Sequence, residues 1–339
     1  MAATGPVAAA AYRGRFAPSP TGALHFGSLV AALASHADAR SASGQWLLRI
    51  EDVDIARART GATDAILATL ERFGFTWDGP VWRQSLRGDA YAAALERLDA
   101  QGLVYACSCS RRELAGVKPG AIGERVYPGF CRDRALRPTA SRAADSGFAW
   151  RARVPTAPVG FVDRHYGPQS QDLAADVGDF ILRRRDGLYA YQLAVVVDDA
   201  EQGVTDVVRG ADLLASTARQ IYLQRSLGGA TPRYLHVPVA VDAQGNKLSK
   251  QVRAPALSGD PLPALLAAWR FLGQLAPADD PASVAEFWAF AVSSWEPRRL
   301  PRAPVLPAPA EFGGLRREPH GAQVERDSRA TPRGHVVDG

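Results

Sequence analysis

The chain has 339 residues, 40 Lys and Arg against 35 Asp and Glu, a net charge of +5 and a pI near 9.3. At roughly 100–200 residues per domain this length predicts two domains, and 47% hydrophobic residues with a mean hydropathy of −0.14 supply a core, while no run nears the ~18 apolar residues of a membrane helix. Three cysteines exclude a disulfide scaffold and point to a reducing, cytoplasmic setting, and the modest positive charge permits a nucleic-acid partner without requiring one.

Residues 1–13 are alanine-rich and lack a basic leader, so a loose N-terminus is expected rather than a cleaved signal. Across 14–105 short apolar strands alternate with helical faces: Leu29, Val30, Leu33, Ala34 and Ala37, then a strand over 45–50, then Ile66, Leu67, Leu70 and Phe73, then a helix over 89–99 that stops near Gly102. This alternation predicts an α/β fold with a parallel sheet. Residues 106–175 are rich in turn formers, carry every cysteine and read as an insertion. Over 176–252 the pattern resumes. Segments 180–184 and 188–197 flank Arg185-Asp186-Gly187 and predict a hairpin, followed by α/β elements through 241. Residues 253–295 predict a short helical remnant, with Leu262, Leu265, Leu266 and Trp269 on one face and Val284, Phe287, Trp288 and Ala291 on another. The last 44 residues, 296–339, hold seven prolines, eight arginines and six acids, which predicts a disordered tail.

Two segments carry chemistry. The first runs from Arg15 through Ala17, Pro18, Ser19, Pro20 and Gly22 to His25-Phe26-Gly27-Ser28, a Pro/Gly loop opening a helix. Glycines let backbone approach a ligand, and a helix N-terminus offers unpaired N–H groups to phosphate. A plain strand-to-helix turn has the same composition. The second is Lys247-Leu248-Ser249-Lys250-Gln251. Only Lys118, Lys247 and Lys250 are lysines among 40 basic residues, so two lysines three residues apart ask for a reason. A flexible ammonium can follow a moving phosphate charge where a planar guanidinium cannot, against the alternative of a solvated loop.

Cys107, Cys109 and Cys131 fall within 25 residues, which suggests a zinc site. No histidine lies in that stretch, so the fourth ligand falls to Tyr127, Asp133, Glu113 or water.

Together the two segments resemble the HIGH-type motif (His25 to Ser28) and the KMSKS-type motif (Lys247 to Gln251) of class I aminoacyl-tRNA synthetases. The string RFAPSPTGALHFG, with Arg49-Ile50-Glu51-Asp52 and Val208-Arg209-Gly210-Ala211-Asp212, is similar to the glutamyl branch over roughly residues 13–251. Two positions depart from the pattern. Ser28 replaces a second histidine, so His25 and backbone amides carry more of the phosphate contact, and Gln251 replaces the final serine.

The resemblance implies a Rossmann-like catalytic fold in two halves, ATP with Mg²⁺ at Pro18, His25, Gly27, Ser28, Lys247, Ser249 and Lys250, and charge stabilisation by His25 and Lys250. It implies L-glutamate at Arg15, Ala17, Ser19, Glu51, Tyr191 and Arg209, with Glu51 meeting the ammonium, Arg15 and Arg209 the carboxylates and Tyr191 donating a hydroxyl. A short C-terminal region and the cysteine pattern resemble the glutamyl-queuosine tRNA(Asp) synthetases, in which tyrosine is the fourth ligand of one structural zinc, here Tyr127. That branch activates glutamate without tRNA and transfers it to the queuosine base in the tRNA(Asp) anticodon. No obligatory protein partner is implied. The rival readings are a short glutamyl-tRNA synthetase charging tRNA(Glu) and a non-catalytic nucleotide or RNA binder.

Overall fold

A computed structural model describes residues 11–110, 112–117, 119–120, 123, 125–134, 147–248 and 256–312. In chain order the elements are β1 Arg13–Phe16, α1 Phe26–Ser41, β2 Gln45–Ile50, α2 Ala62–Arg72, β3 Trp82–Arg83, α3 Gly88–Ala100, β4 Val104–Cys107, β5 Ala149–Ala152, β6 Val159–Asp163, β7 Gly167–Gln171, α4 Leu173–Asp176 and β8 Ile181–Arg183. They continue as α5 Tyr191–Glu201, β9 Asp206–Gly210, α6 Thr217–Ser226, β10 Arg233–Val237, β11 Val239–Val241, α7 Pro261–Phe271, α8 Val284–Ser294 and β12 Val305–Pro307.

Two parallel ladders form the main framework, β1-β2-β3 and β6-β10-β9, with β7 added antiparallel at the edge of β6. Arg13 joins them: its carbonyl accepts from Thr205 N at 2.9 Å and its amide donates to Thr205 Oγ1 at 2.8 Å, which sets β9 beside β1. In β2 one face carries Trp46, Leu48 and Ile50, none of them solvent-exposed, and the other carries Leu47 and the fully buried Arg49. Helix α1 packs against the sheet and against α7 and α8, so residues from both ends of the chain share one core around Leu33, Trp46, Trp269 and Phe287. A second core lies among α3, α5 and α6.

The cysteine segment sits on a separate antiparallel sheet, β4-β5-β8. Its own core is tiny, Tyr105, Cys107, Tyr127, Cys131 and Ala149. Buried Asp179 adds polar ties, accepting from Tyr105 Oη at 2.6 Å, from both ends of the Arg132 guanidinium at 2.9 Å and from Val154 N at 2.9 Å.

Three expectations need correction. The insertion expected over 106–175 includes β6, yet β6 pairs parallel with β10 and belongs to the main sheet. The hairpin keeps its turn, with an isolated Arg183–Tyr189 bridge, but its expected second strand becomes α5. Its valines gave a β signal because Leu193 to Val197 are buried on every side, and burial on every side erases the periodicity that separates helix from strand. Residues 296–312, expected in a disordered tail, are ordered: β12 pairs parallel with β11, Leu300 is buried, and the Phe312 ring stacks on Phe26 at 4.6 Å. Averaging composition over 44 residues hid the few apolar side chains gathered at its start. Residues 313–339 lie outside the described residues.

Candidate active site

The nucleotide-like half is built at the N-terminus of α1. His25 is extended (φ −119°, ψ 174°) and caps the helix, its Nδ1 accepting from Ser28 N at 3.3 Å. That leaves Nε2 to carry the proton as a donor. Burial, reinforced by the Lys247 charge, lowers the imidazole to about 4, so it is neutral at pH 7. A Cβ on Gly27 would approach the His25 ring to 3.2 Å, which explains a glycine under it. Lys247 leaves a turn after β11 and pairs with Asp212 at 2.5 Å. A Cβ on Gly210 would lie 2.5 Å from the Asp212 carboxylate, so that glycine gives the acid room.

The amino-acid-like half is built from β1, β2 and β9 and from α5, with Tyr191 at the start of that helix and Asp199 near its end. Arg15 on β1 meets Asp199 of α5 through Nε at 3.2 Å, and Arg49 on β2 meets the same carboxylate at 2.8 Å. Burial alone would raise Asp199, but the Arg15 and Arg49 guanidiniums hold it below its ordinary value. Glu51 accepts from Arg49 at 3.4 Å, and burial raises its carboxyl despite Arg49 and Arg15 nearby. The loops after β1 and β2 are stitched by Glu51 N donating to Pro18 O at 2.9 Å. Burial also raises the Tyr191 phenol, with Arg209, Glu51 and Arg15 close enough to act on it. Arg209 on β9 is held by Gln220 Oε1 (2.7 Å), Thr217 Oγ1 (2.9 Å), Leu213 O (3.4 Å) and His236 Nε2 (3.1 Å). These use four of the five guanidinium N–H groups and leave one on Nη1 for a ligand.

In the cysteine segment the Sγ atoms of Cys107, Cys109 and Cys131 lie within 4.8 Å of one another, and Tyr127 Oη is 3.4 Å from Cys107 and 3.5 Å from Cys109. Tetrahedral zinc thiolates place sulfurs about 3.8 Å apart, so three soft donors and a phenol converge as a metal site requires, and the cluster could hold a metal ion. Arg151 lies over the Tyr127 ring at 3.7 Å. Gly178 lets the Tyr127 backbone pass, since a Cβ there would meet Tyr127 O at 2.5 Å. Asp133 and Glu113 are not part of the cluster; Glu113 accepts instead from Ser110 N and Oγ, both at 2.7 Å.

Thus Arg15, Glu51, Tyr191 and Arg209 share one neighbourhood, His25 and Lys247 another, and Cys107, Cys109, Tyr127 and Cys131 a third. Ala17, Pro18 and Ser19 form the loop leaving β1, and Gly27 and Ser28 begin α1. Ser249, Lys250 and Gln251 lie outside the described residues. Sequence reasoning missed Asp199, Gln192, Gln220, Asp163 and His236. An Asp198-Asp199 pair closing an apolar run was a usable signal; the others had none. An open depression of about 1200 Å³ is lined by His36, Gly74 and Trp288 among others and contains none of the expected site residues.

A family profile described as tRNA synthetases class I (E and Q), catalytic domain, matches residues 11–258. The chain is 55% identical over 314 residues to a protein of Aromatoleum aromaticum named glutamyl-Q tRNA(Asp) synthetase, with 92% of this chain and 97% of that one covered. A protein of the same name from Burkholderia cenocepacia is 58% identical over 300 residues, covering 86% and 98%. A glutamate tRNA ligase of Elizabethkingia meningosepticum, crystallised with its amino acid, superimposes with a TM-score of 0.72 at 25% identity, covering 89% of this chain and 68% of that one.

Proposed function

The chain belongs to the glutamyl-Q tRNA(Asp) synthetases, ligases of the class I tRNA synthetase family, and on that premise we propose that it activates L-glutamate with ATP in the absence of tRNA and passes it to queuosine in the anticodon of tRNA(Asp). The observation that carries the choice of amino acid is the charge pattern around Tyr191. Two guanidiniums, Arg15 and Arg209, a buried carboxyl, Glu51, and the phenol meet the two carboxylates and one ammonium of glutamate. Identity of 55–58% to relatives named for queuosine, against 25% to a glutamate tRNA ligase, supports the RNA choice.

ATP enters as its Mg²⁺ complex. The glutamate α-carboxylate attacks the α-phosphorus, the bond to the β,γ-diphosphate breaks, and glutamyl-adenylate and pyrophosphate result. Arg15 and Arg209 hold the carboxylates in line, and Glu51 takes the ammonium, whose charge favours its ionised form. His25 donates Nε2–H to the phosphates while Lys247 and Lys250 balance the charge that develops on them. In the Cys107, Cys109, Cys131 and Tyr127 set we propose one structural zinc, which would cross-link a segment with little core of its own. Elemental analysis of purified protein is expected to find one zinc, lost in Cys109→Ser; a metal-free wild type rejects the assignment.

ATP–pyrophosphate exchange with L-glutamate and no RNA tests the reading. Exchange under those conditions, followed by labelling of queuosine-bearing tRNA(Asp), is the expected result. Exchange only with tRNA(Glu) favours the short glutamyl-tRNA synthetase, and none under any condition favours a binder.

A further inference from the structure

We infer that Asp163 and His236 form a positioning relay that fixes the direction of the Arg209 guanidinium and so sets affinity for the glutamate carboxylate, without either residue touching substrate. This rests on the reading of Arg209 as a carboxylate clamp.

The relay starts at the end of β6. Asp163 is 1% exposed, and its Oδ1 is occupied by two backbone donors, His165 N and Tyr166 N, each at 2.9 Å. Its Oδ2 faces His236 Nδ1 at 2.7 Å. A carboxylate can only accept, so the proton between them belongs to Nδ1. His236 is completely buried on β10, and its other nitrogen, Nε2, lies 3.1 Å from Arg209 Nε. A guanidinium can only donate, so Nε2 presents its lone pair. Nε2 also lies 3.3 Å from Thr217 Oγ1, whose hydroxyl can either donate or accept, so the tautomer is set by Asp163 at Nδ1 and Arg209 at Nε2, each of which has a single possible role. Burial, with the Arg209 charge, outweighs Asp163 and lowers the imidazole to about 4, so it stays neutral and able to accept.

Geometry then passes along the sheet. β6, β10 and β9 are adjacent parallel strands, and Asp163, His236 and Arg209 stand on them in sequence. With Nε held by His236, Nη1 by Gln220 and Nη2 by Thr217, the guanidinium plane has no freedom to turn, and its one spare N–H keeps a fixed direction. Gln220 is itself oriented by its amide N–H on Gln192 at 2.9 Å. Hydrogen bonds to charged groups contribute on the order of ten- to hundredfold in affinity when removed.

The experiment compares Arg209→Gln, His236→Leu, His236→Gln and Asp163→Asn in glutamate-dependent ATP–pyrophosphate exchange on the full chain. His236→Leu is expected to raise the glutamate KM roughly ten- to hundredfold while the ATP KM and the exchange rate at saturating glutamate stay within about threefold. His236→Gln recovers most of that loss, because one amide can donate to Asp163 and accept from Arg209. Asp163→Asn is the sharper variant. Its oxygen is claimed by the two backbone donors, so its amide N–H faces Nδ1, forces the proton onto Nε2 and sets it against the Arg209 N–H. An isosteric change is thus expected to weaken glutamate as His236→Leu does, and it keeps the test open if the leucine variant fails to fold. If Arg209→Gln raises the glutamate KM while Asp163→Asn and His236→Gln both match wild type and His236→Leu, where folded, does too, the relay is overturned and the clamp stands. A uniform loss of ATP and glutamate parameters together with a lowered Tm also overturns it, in favour of a merely structural role. If Arg209→Gln itself leaves the glutamate KM unchanged, the clamp reading falls and the relay with it.

Discussion

On the amino-acid side of the cleft Arg15, Arg49, Asp199 and Arg209 are each at most 5% exposed, whereas on the nucleotide side the Lys247 and Asp212 side chains are 34% and 32% exposed. In the first group Arg15, Arg49 and Asp199 form a buried ion-pair cluster and Arg209 is held separately by neutral hydrogen-bond partners, all completed during folding. The second is one surface pair on a turn. On the proposed function, the difference follows what each side recognises. Glutamate brings fixed charges at fixed separations, and a set of dipoles oriented beforehand costs no reorganisation when it binds. A triphosphate redistributes charge as its bond breaks, and a lysine on a flexible stem can follow it.

The comparison can be broken most forcefully at Asp199. Replacing it by alanine leaves Arg15 and Arg49 buried with one carboxylate fewer, and a loss of roughly 3–5 kcal/mol in urea unfolding is expected, because a buried charge stripped of its partner is strongly destabilising. An unchanged midpoint would mean that the buried ion pairs do not hold this side together. Lys247→Ala sharpens the contrast from the other direction. An exposed pair contributes only about 0–1 kcal/mol, so the midpoint should hold while exchange slows on the order of ten- to hundredfold. Equal loss of stability in both variants would erase the distinction between the two sides.

A smaller effect comes from three histidines. Burial lowers His25, His36 and His236 to about 4, 3 and 4, against an ordinary value near 6.5. Between those limits the unfolded chain takes up protons that the folded chain refuses. Stability is therefore full above pH 6.5 and declines as pH falls toward 4. Glu51, raised by burial, acts in the opposite sense over the carboxylate range. Thermal melts from pH 7.5 to 4.5 are expected to show a Tm falling by several degrees; a flat profile would place these rings in solvent.

Much of this was legible from sequence because local rules and global fold agree. The α1 start was readable from its Pro/Gly loop and the helical spacing that begins at Leu29, and β2 from a short apolar run ending in acids. The α7 and α8 faces followed from their spacing. What resisted reading was non-local. Asp199 and Arg15 are 184 residues apart, and only the fold reveals that one neutralises the other. His236 looks like any histidine in a strand until Asp163 and Arg209 are seen on its flanks. Helix α5 was unreadable for a different reason, since Leu193 to Val197 are buried on all sides and carry no polar face to set a period.

The pairing of β12 with β11 and the stack of Phe312 on Phe26 have a consequence for the order in which the protein comes into being. Phe26 opens the helix whose N-terminus is proposed to receive phosphate, and β11 leads into the turn that carries Lys247, so both are braced by residues near 300–312. Trp295 likewise reaches back to Asp38 across 257 residues at 2.9 Å. A nascent chain emerging N-terminus first cannot close these contacts until its last described segment is available, and such distant closures are slow to form. Synthesis halted before residue 300 would leave every motif residue in place on an unfinished cleft, so the chain is expected to gain activity late and all at once rather than motif by motif.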